Sequence, residues 1–220
     1  MDQRSWFHAE LEEITREIVL LAAHVTEAIP AATEALLAAD VASAQAVIDH
    51  DDVLDDLAHD IEERCYRALA RQQPVATDLR ALVAALRMVA EIERSGDLVV
   101  NVCKVLCALR TPDLSPALRG LLAQMGEQAA RLFRTCMDAY AEGDAALAGS
   151  LDRLDDTLDE LHAAFLDAVI AWGQDGSVRE AVQLALIGRY YERIGDHAVN
   201  IGERVRYLIE GELPLHGGFR

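Results

Sequence analysis

Along most of this chain apolar residues recur at three- and four-residue steps, as in Leu79, Leu82, Val83, Leu86, Val89 and Ala90. That is the period of an amphipathic helix and not the alternation of a strand. Ala and Leu dominate over β-branched residues, which also favours helix. The pattern predicts an all-α fold with long helices over roughly 5–38, 41–72, 75–109, 116–141, 145–173 and 177–210. Asp40 and Asp144 each stand ahead of a new apolar run and suit an N-cap, whose side-chain oxygen accepts from free N–H groups of the first turn. Ser115-Pro116 offers a cap followed by proline where a missing N–H costs nothing. Pro30 is expected to kink the first helix. Breaks are expected at Gln73-Pro74-Val75 and Gln174-Asp175-Gly176-Ser177, and the segment 110–115 reads as the joint between two halves.

Those halves are copies of one unit. Glu93-Arg94-Ser95-Gly96-Asp97-Leu98-Val99-Val100-Asn101 recurs 99 residues on as Glu192-Arg193-Ile194-Gly195-Asp196-His197-Ala198-Val199-Asn200, with six of nine positions identical. Asp40, Asp51 and Asp55 recur 104 residues on as Asp144, Asp155 and Asp159. The change of offset falls in the break before the third helix of each unit, where a loop tolerates a length difference. The organisation is therefore two tandem, internally duplicated three-helix bundles, 1–110 and 111–220.

At about 100° per residue, Glu93, Asp97 and Asn101 extend the stripe of Leu79, Leu82, Val83, Leu86 and Ala90. Asp51 and Asp55 fall in line with Ala44, Val47, Ala58 and Leu69. In the second unit Asp155 and Asp159 follow Ala148, Leu151, Leu166 and Val169. Glu192 and Asp196 follow Ala181, Ala185 and Val199, and Asn200 repeats Asn101. Four acidic pairs are thus expected on stripes that pack helix on helix. Like charges at i, i+4 cost about 0.2–0.5 kcal/mol per pair, and desolvating an unpaired carboxylate costs several kcal/mol more. A solvent groove, an arginine partner or a bound cation would relieve this. Arg94 and Arg193 point about 100° away from the pairs and fit poorly as partners. Four carboxylates and an amide per half form a hard oxygen set suited to Mg²⁺, Mn²⁺, Ca²⁺ or iron. The plain alternative is acidic faces shown to water, which one pair among 38 acidic residues would satisfy. Four pairs in repeat register favour a cation.

The net charge of −18, with Lys104 the only lysine, argues against binding nucleic acid or anionic lipid directly, and suits cations or basic patches on protein partners. No uninterrupted apolar run reaches the ~18 residues of a membrane span. The N-terminus lacks the apolar stretch of a secretory signal, so a cytoplasmic location is expected. Cys65, Cys103, Cys107 and Cys136 do not follow the repeat and read as small buried thiols, although Cys103 and Cys107 at i, i+4 could meet a soft metal. His162 shares the stripe of Asp159, whereas His197 lies off the acidic face. The pattern Glu-x-x-His of di-iron or di-manganese bundle enzymes is absent. Such an enzyme is the runner-up reading, and a metal-free helical adaptor is another. Without a nucleophile–base set or a phosphate loop, no enzymatic activity is expected.

Three features together carry a resemblance that covers nearly the whole chain. They are the two three-helix units, the segment Pro74-Val75-Ala76-Thr77-Asp78-Leu79-Arg80 heading a third helix, and the paired Glu-Arg-x-Gly-Asp-x-x-Val-Asn motifs. In these the chain resembles the PhoU family. The resemblance implies two packed three-helix bundles in pseudo-twofold relation, often as a homodimer, with iron or zinc clusters in some members. It further implies a cytoplasmic negative regulator of phosphate uptake and of the phosphate-starvation genes. Such a protein links the phosphate ABC transporter and its ATPase to a sensor histidine kinase, and meets the membrane only through those partners. One metal site would use Asp51, Asp55, Glu93, Asp97 and Asn101, and the other Asp155, Asp159, Glu192, Asp196 and Asn200. Ser95 replaces the frequent apolar residue of the motif and is expected to matter little.

Overall fold

A computed structural model describes residues 3–72, 74–109, 114–173 and 177–211. Eight helical segments follow in order: α1 (Gln3–Ala38), α2 (Val41–Asp49), α3 (Asp51–Gln72), α4 (Thr77–Leu109), α5 (Pro116–Glu142), α6 (Ala145–Ala148), α7 (Leu151–Gly173) and α8 (Val178–Glu210). The described residues contain no strand. The six expected helices are all present, with the second and fifth each divided, the break in the second unit coming four to five residues earlier than the repeat register would place it. His50 closes α2, and Gly149-Ser150 separates α6 from α7. The short first piece of each pair tucks beneath the third helix of its own unit, α2 on α4 and α6 on α8. Joint residues 110–113 and 174–176, with Gln73, lie outside the described residues.

Local chemistry sets the boundaries. Asp40 Oδ1 accepts from the N–H groups of Ala42 and Ser43, and Asp144 Oδ1 from Ala146 and Leu147. Ser115 Oγ accepts from Leu118 N–H at the head of α5, with Pro116 in the first turn. The preceding turns repeat as well. Asp40 N–H donates to Ala35 and Asp144 N–H to Ala139, both with the intervening residue left-handed. In the second unit that residue is Gly143 (φ 65°), in the first Ala39 (φ 53°), which bears the Cβ penalty that glycine avoids. α1 continues through Pro30.

α1 is long and apolar enough to cross a membrane (Phe7–Ala38, mean hydropathy 1.3), although polar residues interrupt every apolar run along it. It is a core helix here. Ile14, Ile18, Leu21, Val25 and Ile29 are buried, and α1 packs on α2, α3, α4 and α5.

The most extensive helix pairing in the molecule is α4 on α8, the third helices of the two units. They run antiparallel: Ser95 Oγ meets His197 Nδ1 at 3.0 Å, and Asn200 Nδ2 donates to Glu91 Oε2 at 3.4 Å. Equivalent helices packed antiparallel are related by an approximate twofold axis, which passes near Gly96 and Gly195. Buried Tyr191 on α8 also reaches α1, its hydroxyl 2.7 Å from Thr33 Oγ1. One hydrophobic core therefore runs through both halves without a break.

Candidate functional site

On α4 the buried arc is Leu82, Ala85, Met88, Val89, Ile92, Gly96 and Val99, and Leu79 and Val83 are exposed. The carboxylates extend that outer edge of the stripe, so the expectation that they lie between packed helices is corrected. Asp55 and Asp97 are exposed, and Asp51, Glu93 and Asn101 half-buried. Solvent exposure on a groove is the relief that the first unit uses. Stripe counting could not separate the two edges because a 100°-wide apolar band spans both.

Within that open face the structure brings Asp51, Asp55, Glu93 and Asp97 together. Partial burial, then the charges of Asp55 and Asp97, pushes Asp51 above the usual carboxylate range, with Lys104 opposing. Burial and Asp97 do the same to Asp55. Glu93 is raised by burial, Asp97 and Asp55, with Arg94 opposing. A groove of about 350 Å³ runs from Asp55 and Glu93 past Ala58, His59, Glu62 and Ala90. A second, apolar cleft of about 400 Å³ opens beyond Asp51 between α1, α2 and α4. His24 and His50 are among its walls, their ring centroids 5.3 Å apart.

The second unit departs from this pattern. Asp155 is buried and presses on α8 at Gly195: a Cβ there would lie 2.5 Å from Asp155 Oδ1 and 2.7 Å from Leu158 Cδ2. At Gly96 the equivalent Cβ would lie 3.1 Å from a methyl of Leu54. The motif glycine is thus a point of close approach between each third helix and its neighbour, the reason for a side chain reduced to hydrogen. Burial, followed by Asp196, raises Glu192 to about 7, with Arg189 opposing it and Asp159 adding to the rise. One oxygen of Glu192 pairs with the Arg189 guanidinium; Oε2 is buried without a hydrogen-bond partner. Arg189 is the arginine the sequence reading missed, and its signal was the i, i+3 spacing to Glu192. Arg94 pairs instead with Glu91. Asn200 turns its amide to Glu91 across the α4–α8 seam. His162 Nε2 is buried without a hydrogen-bond partner, and burial and then Arg189 depress its pKa.

Ser95 does more than expected. With buried His197 it forms a polar contact on one side of the pseudo-twofold axis, and the equivalent positions on the other side, Ile194 and Leu98, are both apolar and buried. Burial, Arg193 and Arg94 lower His197 to about 4, so it is neutral near pH 7. Cys65, Cys103 and Cys136 are buried free thiols and Cys107 is half-buried. Burial pushes Cys65 and Cys103 up to about 12, far from thiolate chemistry.

The donor set tests well for a hard cation in chemistry and charge: oxygens only, mutually raised carboxyls, and an orphaned buried oxygen on Glu192. Among the described residues no three His, Cys, Asp or Glu side chains are gathered closely enough to surround one ion as they stand. Closing on an ion therefore takes side-chain rotation, available to the exposed Asp55, Asp97 and Asp159.

Comparison with known proteins follows the same duplication. The PhoU domain model matches twice, at residues 18–106 and 122–205. A phosphate-specific transport system accessory protein PhoU homolog of Pseudomonas putida is 32% identical over 97% of this chain and 84% of its own length. PhoU homolog 2 of Mycobacterium tuberculosis is 33% identical over 96% of this chain and all of its own. The crystal structure of PhoU from Pseudomonas aeruginosa superposes with a TM-score of 0.88 at 32% identity, covering 94% of this chain and 100% of that one. The phosphate transport system regulatory protein PhoU from Streptococcus pneumoniae gives 0.86 at 27% identity, over 94% and 99%. With both motifs, both units and the fold accounted for at nearly full length, the chain belongs to the PhoU family.

Proposed function

We propose that this chain is an accessory protein of a phosphate-specific transport system. In this reading it is a cytoplasmic negative regulator of phosphate uptake and of the phosphate-starvation genes. It acts by binding and not by catalysis, as a homodimeric adaptor between the ATPase of the transporter and a sensor histidine kinase. The observation that carries the transport role is full-length similarity to relatives named for that system. Residues 1–110 and 111–220 are read as its two equivalent binding halves.

The adaptor is proposed to bind metal on its repeated carboxylates. Asp51, Asp55, Glu93, Asp97 and Asn101 would hold ions in the first half, and Asp155, Asp159, Glu192, Asp196 and Asn200 in the second. The ions are iron, manganese, magnesium or zinc. A bound cation supplies the positive charge that would offset the repulsion among Asp51, Asp55, Glu93 and Asp97, for which the described residues offer Lys104 and Arg94 nearby. The test is elemental analysis of protein purified without chelator, beside Asp97→Ala/Asp196→Ala. Stoichiometric metal that the double variant loses supports the site. No metal in either protein, with the helical spectrum intact, removes metal from the function and leaves partner binding. In cells, a starvation reporter that stays repressed with the double variant would separate metal binding from signalling.

A further inference from the structure

Six of the twelve large apolar side chains exposed among the described residues gather in two places, and the two places are repeat equivalents. Tyr66 (58% exposed) on α3, with Leu79 and Val83 on α4, forms one. Ile170 (64%) on α7, with Val178 and Val182 on α8, forms the other. Tyr66 and Ile170 are 104 residues apart, and the other two pairs 99, the same offsets that relate the acidic motifs. Surface apolar residues scattered singly carry no message, but a patch maintained at both copies of a duplicated unit does. On each third helix the patch runs into the carboxylates: at 100° per residue Leu79, Val83, Glu93 and Asp97 stay within about 40° of one line.

We propose that each half docks an amphipathic basic helix of a partner protein. Its apolar ridge lies on Tyr66, Leu79 and Val83, or on Ile170, Val178 and Val182. Its Lys or Arg side chains lie farther along, on Glu93 and Asp97 or on Glu192 and Asp196. Charge complementarity chooses this occupant. The groove on α3 and α4 begins apolar and ends in four mutually repelling carboxylates. In the first half, exposed Arg67 and Arg71 flank the opposite end of the patch, which sets the direction in which the helix lies. The distance from Val83 to Asp97 is about 21 Å of helix, so the occupant spans roughly four turns between ridge and basic end. An anionic membrane is disfavoured by the −18 charge of the chain. Because α4 and α8 are antiparallel, the two apolar ridges lie at opposite ends, roughly 40–50 Å apart along the axis, and one chain takes two helices. The proposal rests on the reading that the repeated carboxylates are functional, and adds the partner they recognise.

The test uses the chelator-treated full chain and a fluorescein-labelled synthetic Leu/Lys helix of about 18 residues, apolar at one end and lysine-rich at the other. Fluorescence anisotropy should show two sites per chain. Leu79→Ser/Val83→Ser should remove one site and Val178→Ser/Val182→Ser the other. The four-substitution variant should bind about tenfold or more weakly, with its helical spectrum unchanged. Equal binding by the four-substitution variant, equal binding of a Leu/Glu helix, or no binding of the Leu/Lys helix overturns the proposal. So does binding to phosphatidylglycerol vesicles that the serine variants abolish, which would make a membrane the occupant. The serine variants should keep the metal content of the parent protein. Failed peptide binding by the chelator-treated chain, with metal found in the untreated parent, sinks the docking site alone, and no metal in the untreated parent with peptide bound sinks the metal site alone.

Discussion

The two motif glycines are equivalent in sequence, yet alanine should be costly at one and nearly neutral at the other. At Gly195 a Cβ would sit 2.5 Å from Asp155 Oδ1, 2.7 Å from Leu158 Cδ2 and 3.4 Å from Leu132 Cδ1. All three neighbours are buried, so α7 and α8 must separate. Overpacking costs about 1–3 kcal/mol, the two contacts under 3.0 Å place this site at about 2–3 kcal/mol, and Gly→Ala in a helix interior returns about 1 kcal/mol. Gly195→Ala should therefore destabilise by about 1–2 kcal/mol, lowering the melting temperature of a chain this size by about 2–8 °C. At Gly96 the new Cβ meets only the ends of Leu54, at 3.1 and 3.2 Å. A shift of a few tenths of an ångström accommodates it, so the helix propensity term roughly cancels the packing term and Gly96→Ala should be neutral within about 0.5 kcal/mol. Urea unfolding followed by circular dichroism at 222 nm measures both. Gly96→Ala destabilised as much as Gly195→Ala, or Gly195→Ala neutral, would refute the reasoning.

The polar contact across the pseudo-twofold axis makes a second prediction. Ser95→Ile leaves His197 Nδ1 buried without its partner and should cost about 1–3 kcal/mol, much of it recovered when His197→Leu is added; additive penalties in the unfolding cycle would show that the pair is not coupled. For chelator-treated protein, the raised pKa of Glu192 has a definite sign. The folded state holds this proton more tightly than the unfolded chain, so the cost of ionisation is absent below about 4.5, grows up to about 7 and is complete above it. Glu192→Gln should accordingly be more stable than the parent at pH 8 and gain nothing near pH 4.5, and a pH-independent difference in melting temperature would contradict this. Ala39→Gly should raise stability by a few tenths to about 1 kcal/mol, since glycine removes the left-handed Cβ penalty and returns part of it as chain entropy; a lower melting temperature would argue against the Gly143-like turn.

The sequence by itself determined what is local or repeated. Apolar spacing placed the helices to within a few residues, Asp40, Asp144 and Ser115 marked three of their starts, and the offsets of 99 and 104 exposed the duplication. These signals are legible because a helix turn, a cap and a side-chain pair at i, i+4 involve residues close in the chain. The divisions at His50 and Gly149-Ser150 were not, since they serve the seating of α2 and α6 under α4 and α8. Nor did periodicity say which edge of the α4 stripe faces the core, because that depends on where α3 and α8 stand. The same neighbours decide that Asp155 is buried while its repeat partner Asp51 is half-open, that Arg189 and not Arg193 meets Glu192, and that His197 lies in the seam against Ser95. Identical motifs thus acquired different surroundings. Burial, and with it the charge state of a carboxylate or an imidazole, is set by residues distant in sequence that pack against the motif, and only the tertiary structure specifies those.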